Sequence, residues 1–522
     1  MIPTTNLGRL LTQTARRLPD APALIWRDLT WSWAELDARV DRLCAALSAR
    51  GIGPGDAVLV HARNGNPMFE SLWACFKLGA VWVPTNVRLT PPEVAYLAAA
   101  SGARAMLRDH GFATHADAVR EAAPDCRLVI AVGDAREAEL HYETLLAEAT
   151  PPPRDHEADV GRDDPCWFFF TSGTTGRPKA AVLTHGQMGF IVTNHLADLM
   201  PGLTERDVSL VVAPLSHGAG IHALAQVARG ACSVLLPGER MEVGIAWDLI
   251  ERHRVTNMFT VPTILNILVA DGRAAPHHLR HVIYAGAPMY RADQKRALER
   301  LGPCLVQYFG LGEVTGCITV LRADQHSLDD KDPRTGSCGM PRTGMDVAIL
   351  DEAGQHRPAG ERGEICVRGG GVFVGYFKNV EASARAFRQG WFHTGDLGFL
   401  DAQGFLHITG RASDMFISGG SNIYPREVEE ALLTHPAVLE CAVVGLPHPN
   451  WGEAGVACLV LREGEPCDAD ALLTHLADRL ARYKHPRRFV FWEALPKSAY
   501  GKVPKSLLSQ RLADEGVGFD PA

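Results

Sequence analysis

Residues 168 to 185 read Phe-Phe-Phe-Thr-Ser-Gly-Thr-Thr-Gly-Arg-Pro-Lys-Ala-Ala-Val-Leu-Thr-His, an apolar strand that empties into hydroxyls and glycines and is closed by a lysine. These residue types suit a phosphate cradle. Gly173 and Gly176 let backbone N–H groups approach an anion, Thr171, Ser172, Thr174 and Thr175 offer hydroxyl donors, and Lys179 brings a mobile positive charge. A nucleotide-triphosphatase P-loop would need Gly, four residues, then Gly-Lys-Ser/Thr running straight into a helix. Here Lys179 follows Gly176 by three residues, Ala180 to Leu183 read as a second strand, and Thr184 with Gln187 opens a helix by a capping box. The sequence therefore places the anion between two strands.

Four other segments have the residues for chemistry. Gly286-Ala287-Pro288 follows the apolar run 282–285, and its small side chains would let a flat base lie against the backbone. Gln307-Tyr308-Phe309-Gly310-Leu311-Gly312-Glu313 puts an aromatic pair and a carboxylate after another strand. Trp391-Phe392-His393-Thr394-Gly395-Asp396 sets an acid in what reads as a Thr-Gly turn, suited to accept from both hydroxyls of a ribose. Near the C-terminus, 495–505 offers Lys497, Lys502 and Lys505.

The elements that must carry these groups alternate. Short runs rich in Val, Leu and Ile recur at 57–60, 128–132, 208–213, 282–285 and 305–308, and apolar spacings of three and four predict helices over 33–49 and 92–100. The expectation is a layered α/β architecture with partly parallel sheets. From Val347 the texture changes to Gly-punctuated strands at 347–350, 364–367 and 405–409, a β subdomain. After Gly410-Arg411-Ala412-Ser413-Asp414 comes a smaller α+β unit with a helix from Pro425, strands at 441–445 and 456–461 and a helix over 469–481. Glu427 and Glu429 suit the positive end of the first of these helices. The boundary is expected at Asp414, giving domains 1–413 and 414–522.

With 522 residues the chain is expected to form more than one core. An apolar fraction of 46% and a net charge of −8 fit a globular protein and give no general electrostatic case for nucleic-acid binding. Neither a secretory leader nor a run of about eighteen apolar residues is legible. Twelve cysteines occur without a Cys-x-x-Cys pair. These features lead to the expectation of a cytoplasmic enzyme without an integral membrane segment, as one copy or a homodimer.

Together the segments resemble the adenylate-forming superfamily: acyl-CoA synthetases, peptide-synthetase adenylation domains and luciferases. The resemblance spans nearly the whole chain, with the motifs in the family's order. It implies an acyl- or aryl-CoA ligase in which a carboxylate attacks the α-phosphorus of Mg·ATP, and coenzyme A then displaces AMP from the acyl adenylate. It assigns residues 171–176 and Lys179 to the phosphates, Gly286 to Pro288 and Tyr308 to Gly312 to the nucleotide, Asp396 and Arg411 to the ribose, and Glu313 to Mg²⁺. His217, Gly218, Gly286, Gly310 and Gly316 would line the acyl site, and Asp414 would be the hinge of a mobile C-terminal domain. Gly419 and Gly420 would pass the thiol arm of CoA, with Tyr483 and Arg487, beside Lys484 and Arg488, at its nucleotide end. Lys502, after Gly501, would be the catalytic lysine that bridges carboxylate and α-phosphate, leaving Lys497 and Lys505 as surface charges. The family's usual threonine before the glutamate is Gly312 here. Loss of a hydrogen bond to a charged group costs roughly 1.5 to 3 kcal/mol.

A medium-chain or aromatic acid is the expected substrate. An adenylation enzyme that loads a carrier-protein thiol is the alternative, and a regulator that binds nucleotide or acyl groups without catalysis is a third reading.

Overall fold

The computed structural model describes residues 3–137, 139–151, 156–171, 177–238, 241–273, 278–287, 289–498 and 503–519. The chain forms two compact units. One comprises Met1–Pro288, Lys295–Val347 and Val367–Phe392, and the other Met289–Gln294, Ala348–Cys366 and His393–Ala522.

Two large sheets organise the first unit. A seven-stranded sheet runs in the order Lys179–Thr184, Pro165–Thr171, Val81–Pro84, Ala57–His61, Ala103–Arg108, Leu128–Ala131, Leu140–His141, parallel except for its first pair. The strand Ala-Val-Leu-Val-His at 57–61 is buried at every position, as expected of a parallel strand covered on both faces. A nine-stranded sheet is parallel through its centre, Leu305–Phe309, His281–Tyr284, Asn257–Thr260, Val208–Val211, Cys232–Leu235 and Pro22–Trp26, with antiparallel strands at both edges. The helices predicted over 33–49 and 92–100 form as Trp33–Ser48 and Pro91–Ser101, each opened by a glutamate that accepts from the backbone N–H of Ser32 or Thr90. Thr184 likewise caps the helix His185–Asn194 by accepting from the Gln187 amide.

A five-stranded sheet built from Met345–Leu350, Gly363–Gly369, Trp391–Leu400, Leu406–Arg411 and Phe387–Arg388 realises the predicted β subdomain. One reading changes here. Thr394-Gly395-Asp396 lies inside the strand Trp391–Leu400 and is not a turn; Gly395 takes φ +75° and the ladder slips between Leu397 and Gly398, so a bulge delivers the local bend a turn would have given.

In the second unit, Val438–His448 and Gly452–Leu461 pair antiparallel as the longest strands of a further five-stranded sheet. Their residues alternate between two cores. Cys441 and Val443 join Phe416, Leu432 and Leu472, whereas Ala442 and Val444 join Trp492, Leu508 and Leu512. The helices Pro425–Leu433, Ala469–Ala477 and Lys505–Asp514 cover the sheet. Lys505, expected as a surface charge, pairs with the buried Glu429, which also accepts from the Val443 amide. Among the described residues no helix is long and apolar enough to cross a membrane.

Several histidines of the first unit are buried and neutral. Burial pushes His61 down to about 3, helped by His115 and Arg63, and pushes His185 and His222 each down to about 4. Because these folded values lie below the ordinary histidine value of about 6.5, the unfolded chain takes up protons first as pH falls. Their contribution to stability is therefore complete above pH about 6.5 and is lost on acidification toward pH 4. Urea unfolding at pH 8, 6.5 and 5 should show a midpoint that holds from 8 to 6.5 and then falls; an unchanged midpoint at pH 5 would contradict this.

Candidate active site

Thr171 ends one strand and Lys179 begins its antiparallel neighbour, and the two are register partners. The hydroxyl- and glycine-rich segment is therefore strung between two strands, as its sequence predicts. Ser172, Gly173, Thr174, Thr175 and Gly176 themselves lie outside the described residues, as do Pro288 and Lys502.

Glu313 sits in the single 3₁₀ turn Gly312–Val314 that follows the strand Leu305–Phe309. It is only 6% exposed. Its Oε1 accepts from the Thr171 hydroxyl at 2.9 Å and from the Tyr376 hydroxyl at 2.9 Å. Among the described residues no cation pairs with it. Lys179 is half-buried, with its ammonium 4.6 Å from the centre of the Tyr376 ring, and it too has no carboxylate partner among the described residues. Burial, then the Glu313 charge and the hydrogen bond to it, push the Tyr376 phenol well up, so it stays a donor across the neutral range. Backbone bonds hold this tyrosine in place: Phe373 N–H donates to the Glu313 carbonyl, Val182 N–H to that of Gly375 and Phe377 N–H to that of Ala180. The site thus holds a buried carboxylate and a lysine on one tyrosine, at the strand ends that flank residues 172–176, and neither has an oppositely charged partner among the described residues. A buried charge without a partner is unfavourable by several kcal/mol, so the arrangement suits a polyphosphate with a hard cation.

Sequence reasoning missed Tyr376. It lies 63 residues from Glu313, in a segment without helical or strand periodicity, so only its place beside a Gly in an aromatic run could have marked it.

On the apolar side, the His217 ring meets Phe169 edge-on at 5.3 Å, and His217 Nδ1 lies 2.9 Å from the Ser216 hydroxyl. The glycines expected as pocket walls are close-approach positions. A Cβ on Gly218 would lie 2.4 Å from the Phe259 ring, one on Gly310 would meet the Gly316 backbone at 2.4 Å, and one on Gly316, at φ +74°, would meet the Tyr308 ring at 2.3 Å. Tyr308 turns inward and stacks on Phe259 at 5.9 Å, leaving Phe309, Gly310, Leu311 and Gly312 half-buried. Gly286, at φ +83°, and Ala287 are exposed after the strand His281–Tyr284.

Gly312 has a steric explanation. A Cβ there would stand 2.6 Å from the Phe169 ring and 3.0 Å from the Thr171 methyl. Phe169 occupies the room a threonine would need. Thr315 supplies no ready substitute, since its hydroxyl donates to the Val314 carbonyl.

In the second unit, Asp396 and Arg411 are cross-strand partners, and Arg411 Nε donates to the buried Asp396 carboxylate at 3.1 Å. The Asp414 amide donates to the Arg411 carbonyl. Gly419 and Gly420 adopt φ +57° and +81°. The Trp451 indole lies over Gly419, where a Cβ would be 2.5 Å from the ring, and the Arg487 guanidinium stands 5.0 Å from the Trp451 centroid. Trp451 was not marked by the sequence, being a lone aromatic in a loop. Tyr483 is exposed, whereas Lys484 pairs with Glu427 and Arg488 donates to the Gly518 carbonyl. Of the four residues at 483–488 read as facing a nucleotide, Lys484 and Arg488 are thus engaged within the unit.

Residues 11–377 match the family model of the AMP-binding enzymes, and residues 427–502 that of the AMP-binding enzyme C-terminal domain. The chain is 37% identical over 512 residues to a feruloyl-CoA synthase of an Amycolatopsis species, covering 97% of this chain and 99% of that protein. It is 34% identical to an indoleacetate–CoA ligase of Aromatoleum aromaticum, covering 96% and 95%. A solved structure of o-succinylbenzoate CoA synthetase from Bacillus subtilis with its acyl-adenylate intermediate superposes with a TM-score of 0.85 at 32% identity, covering 97% and 98%.

The packing at Gly312 makes a prediction. Gly312→Thr should lower thermal stability and activity, and adding Phe169→Ala should recover stability by vacating the space. A single variant as stable as the parent would contradict the steric account.

Proposed function

Because the chain belongs to the AMP-binding enzyme family, we propose that it joins an aromatic carboxylic acid to coenzyme A, cleaving ATP to AMP and pyrophosphate with an acyl adenylate between the two steps. The observation that carries this reading is the buried Glu313 carboxylate, held by the Thr171 and Tyr376 hydroxyls, with Lys179 over the ring of that tyrosine. Mg²⁺ suits these hard oxygen donors, and when bound it would neutralise charge on the departing pyrophosphate.

The chain's own groups do the rest. Lys179 and the donors of 171–176 grip the phosphates and fix the α-phosphorus in line with the incoming carboxylate. The base lies against Gly286 and Ala287 and the half-buried segment from Phe309 to Gly312, while Asp396, oriented by Arg411, accepts from the ribose. Lys502 supplies positive charge between the carboxylate and the α-phosphate, where negative charge grows as the phosphorus becomes pentavalent. No protein nucleophile is required. For the second step the domain after Asp414 turns, withdraws Lys502 and brings Gly419 and Gly420 to the thiol arm, with Trp451, Tyr483 and Arg487 at the nucleotide end of CoA. An aromatic acid is favoured by the aromatic substrates named for the relatives and by the Phe169, Phe259 and Tyr308 rings near His217. All twelve cysteines lack disulfides and eleven are buried, which suits a reducing cytoplasm.

Incubation with Mg·ATP and a panel of aryl acids, with and without coenzyme A, should give CoA-dependent thioester and AMP; acyl adenylate that never becomes thioester would contradict the choice of acceptor. Lys502→Ala should slow acyl-adenylate formation by about 10² to 10³ yet convert a supplied acyl adenylate to thioester at close to the parent rate. Equal loss in both half-reactions would contradict the assigned role.

A further inference from the structure

A second set of ligating side chains lies in the β subdomain. Glu364 and Cys366 are two residues apart on the strand Gly363–Gly369, so they share one face, and His393 meets them from the neighbouring strand Trp391–Leu400. His393 Nδ1 lies 2.7 Å from Glu364 Oε2 and 3.2 Å from Cys366 Sγ. One ligand atom from each residue falls within 4.8 Å of the other two. Cys366 is fully buried, and the side chains of His393 and Glu364 are 8% and 23% exposed, so solvent reaches the cluster from the carboxylate side. Tetrahedral coordination, with Zn–S about 2.3 Å and Zn–N and Zn–O about 2.1 Å, sets ligand atoms roughly 3.4–3.6 Å apart. The thiol and imidazole are close to that spacing already. The imidazole and carboxylate have to part by about 0.7 Å, which the partly exposed Glu364 supplies by turning about its own bonds.

Resting on the ribose role proposed for Asp396, we propose that Glu364, Cys366 and His393 bind one divalent ion of the Zn²⁺ class, and that the bound ion lowers the affinity for nucleotide. A thiolate, an imidazole and a carboxylate suit Zn²⁺ or Co²⁺, whereas Mg²⁺ demands hard oxygen donors in an octahedron and is a poor partner for sulfur. Binding releases the Cys366 thiol proton to solvent and leaves a neutral assembly with a fourth position for water. The coupling runs through bonds of the same residues. Glu364 Oε1 accepts from the Gly395 amide at 3.1 Å, and the Thr394 hydroxyl donates to the Ile365 carbonyl at 2.7 Å while accepting from the Asp396 amide at 3.1 Å. Gly395, at φ +75°, makes the local bend that aims Asp396. A carboxylate turned toward the ion gives up Gly395, and an imidazole drawn to it pulls on the strand three residues before Asp396.

The test titrates reduced, chelator-stripped full-length protein with Co²⁺ in excess Mg²⁺. The parent should bind one equivalent with a thiolate-to-cobalt charge-transfer band that Zn²⁺ removes. Cys366→Ser should lose the band and weaken cobalt binding beyond the roughly 10- to 100-fold expected when only an outer-sphere partner is removed. Glu364→Gln should keep the band but bind the ion more weakly. Cys467→Ser should behave as the parent, although Cys467 Sγ lies 3.9 Å from His435 Nε2. By calorimetry, Zn²⁺ should weaken AMP binding to the parent by at least about fivefold, and AMP should weaken Zn²⁺ binding by the same factor, with neither effect in Cys366→Ser. A parent without the band, a band that survives in Cys366→Ser, or an AMP affinity indifferent to Zn²⁺ would overturn the inference. AMP that fails to bind the metal-free protein would contradict the ligase reading instead, and a Cys366-dependent band would still uphold the metal site.

Discussion

The architecture of the candidate site depends on one buried carboxylate. Glu313 is removed from water, yet among the described residues it meets two hydroxyls and no cation. A protein that needed only stability would do better with an apolar residue or a complete ion pair there. The surroundings serve to keep the carboxylate in place. Thr171 reaches it from the end of one strand, Tyr376 from a segment clipped to a neighbouring strand, and the Phe373 amide holds the carbonyl of Glu313 itself. Lys179 stands on the same tyrosine ring without closing a salt bridge. A carboxylate and an ammonium thus meet one tyrosine side chain, at the strand ends that flank residues 172–176.

Packing around this anchor explains the departure at Gly312. Phe169 fills the space between Gly312 and His217, while Phe259 sits on Gly218 and stacks with Tyr308. These aromatic side chains run from the phosphate end of the site to the start of the helix Gly218–Arg229. Substituting a threonine at 312 is therefore a problem of volume before it is one of hydrogen bonding.

Much of this was legible along the chain. The strands near 57–60, 128–132, 282–285 and 305–308 and the helices from Trp33 and Pro91 carry their signal locally, in apolar period and capping residues, and they appear within a few positions of expectation. The strand–loop–strand form of the phosphate segment followed from the place of Lys179 and the apolar run after it. Less legible were features made by residues far apart in sequence. Tyr376 has no local pattern, and its place comes from backbone bonds that its neighbours Phe377, Gly375 and Phe373 make with Ala180, Val182 and Glu313. Trp451 matters through its ring over Gly419. Thr394-Gly395-Asp396 has turn composition, but pairing with Leu406–Arg411 draws it into a strand, and Gly395 absorbs the strain as a bulge. Lys505 looked solvated because its partner Glu429 lies on another helix.

The central claim, that a carboxylate attacks the α-phosphorus of ATP, is tested most directly by isotope transfer. An aryl acid carrying ¹⁸O in both carboxylate oxygens, incubated with the protein, Mg·ATP and coenzyme A, should deliver one ¹⁸O to AMP and none to pyrophosphate. The account is contradicted if thioester forms while AMP stays unlabelled, or if the label appears in inorganic phosphate alongside ADP.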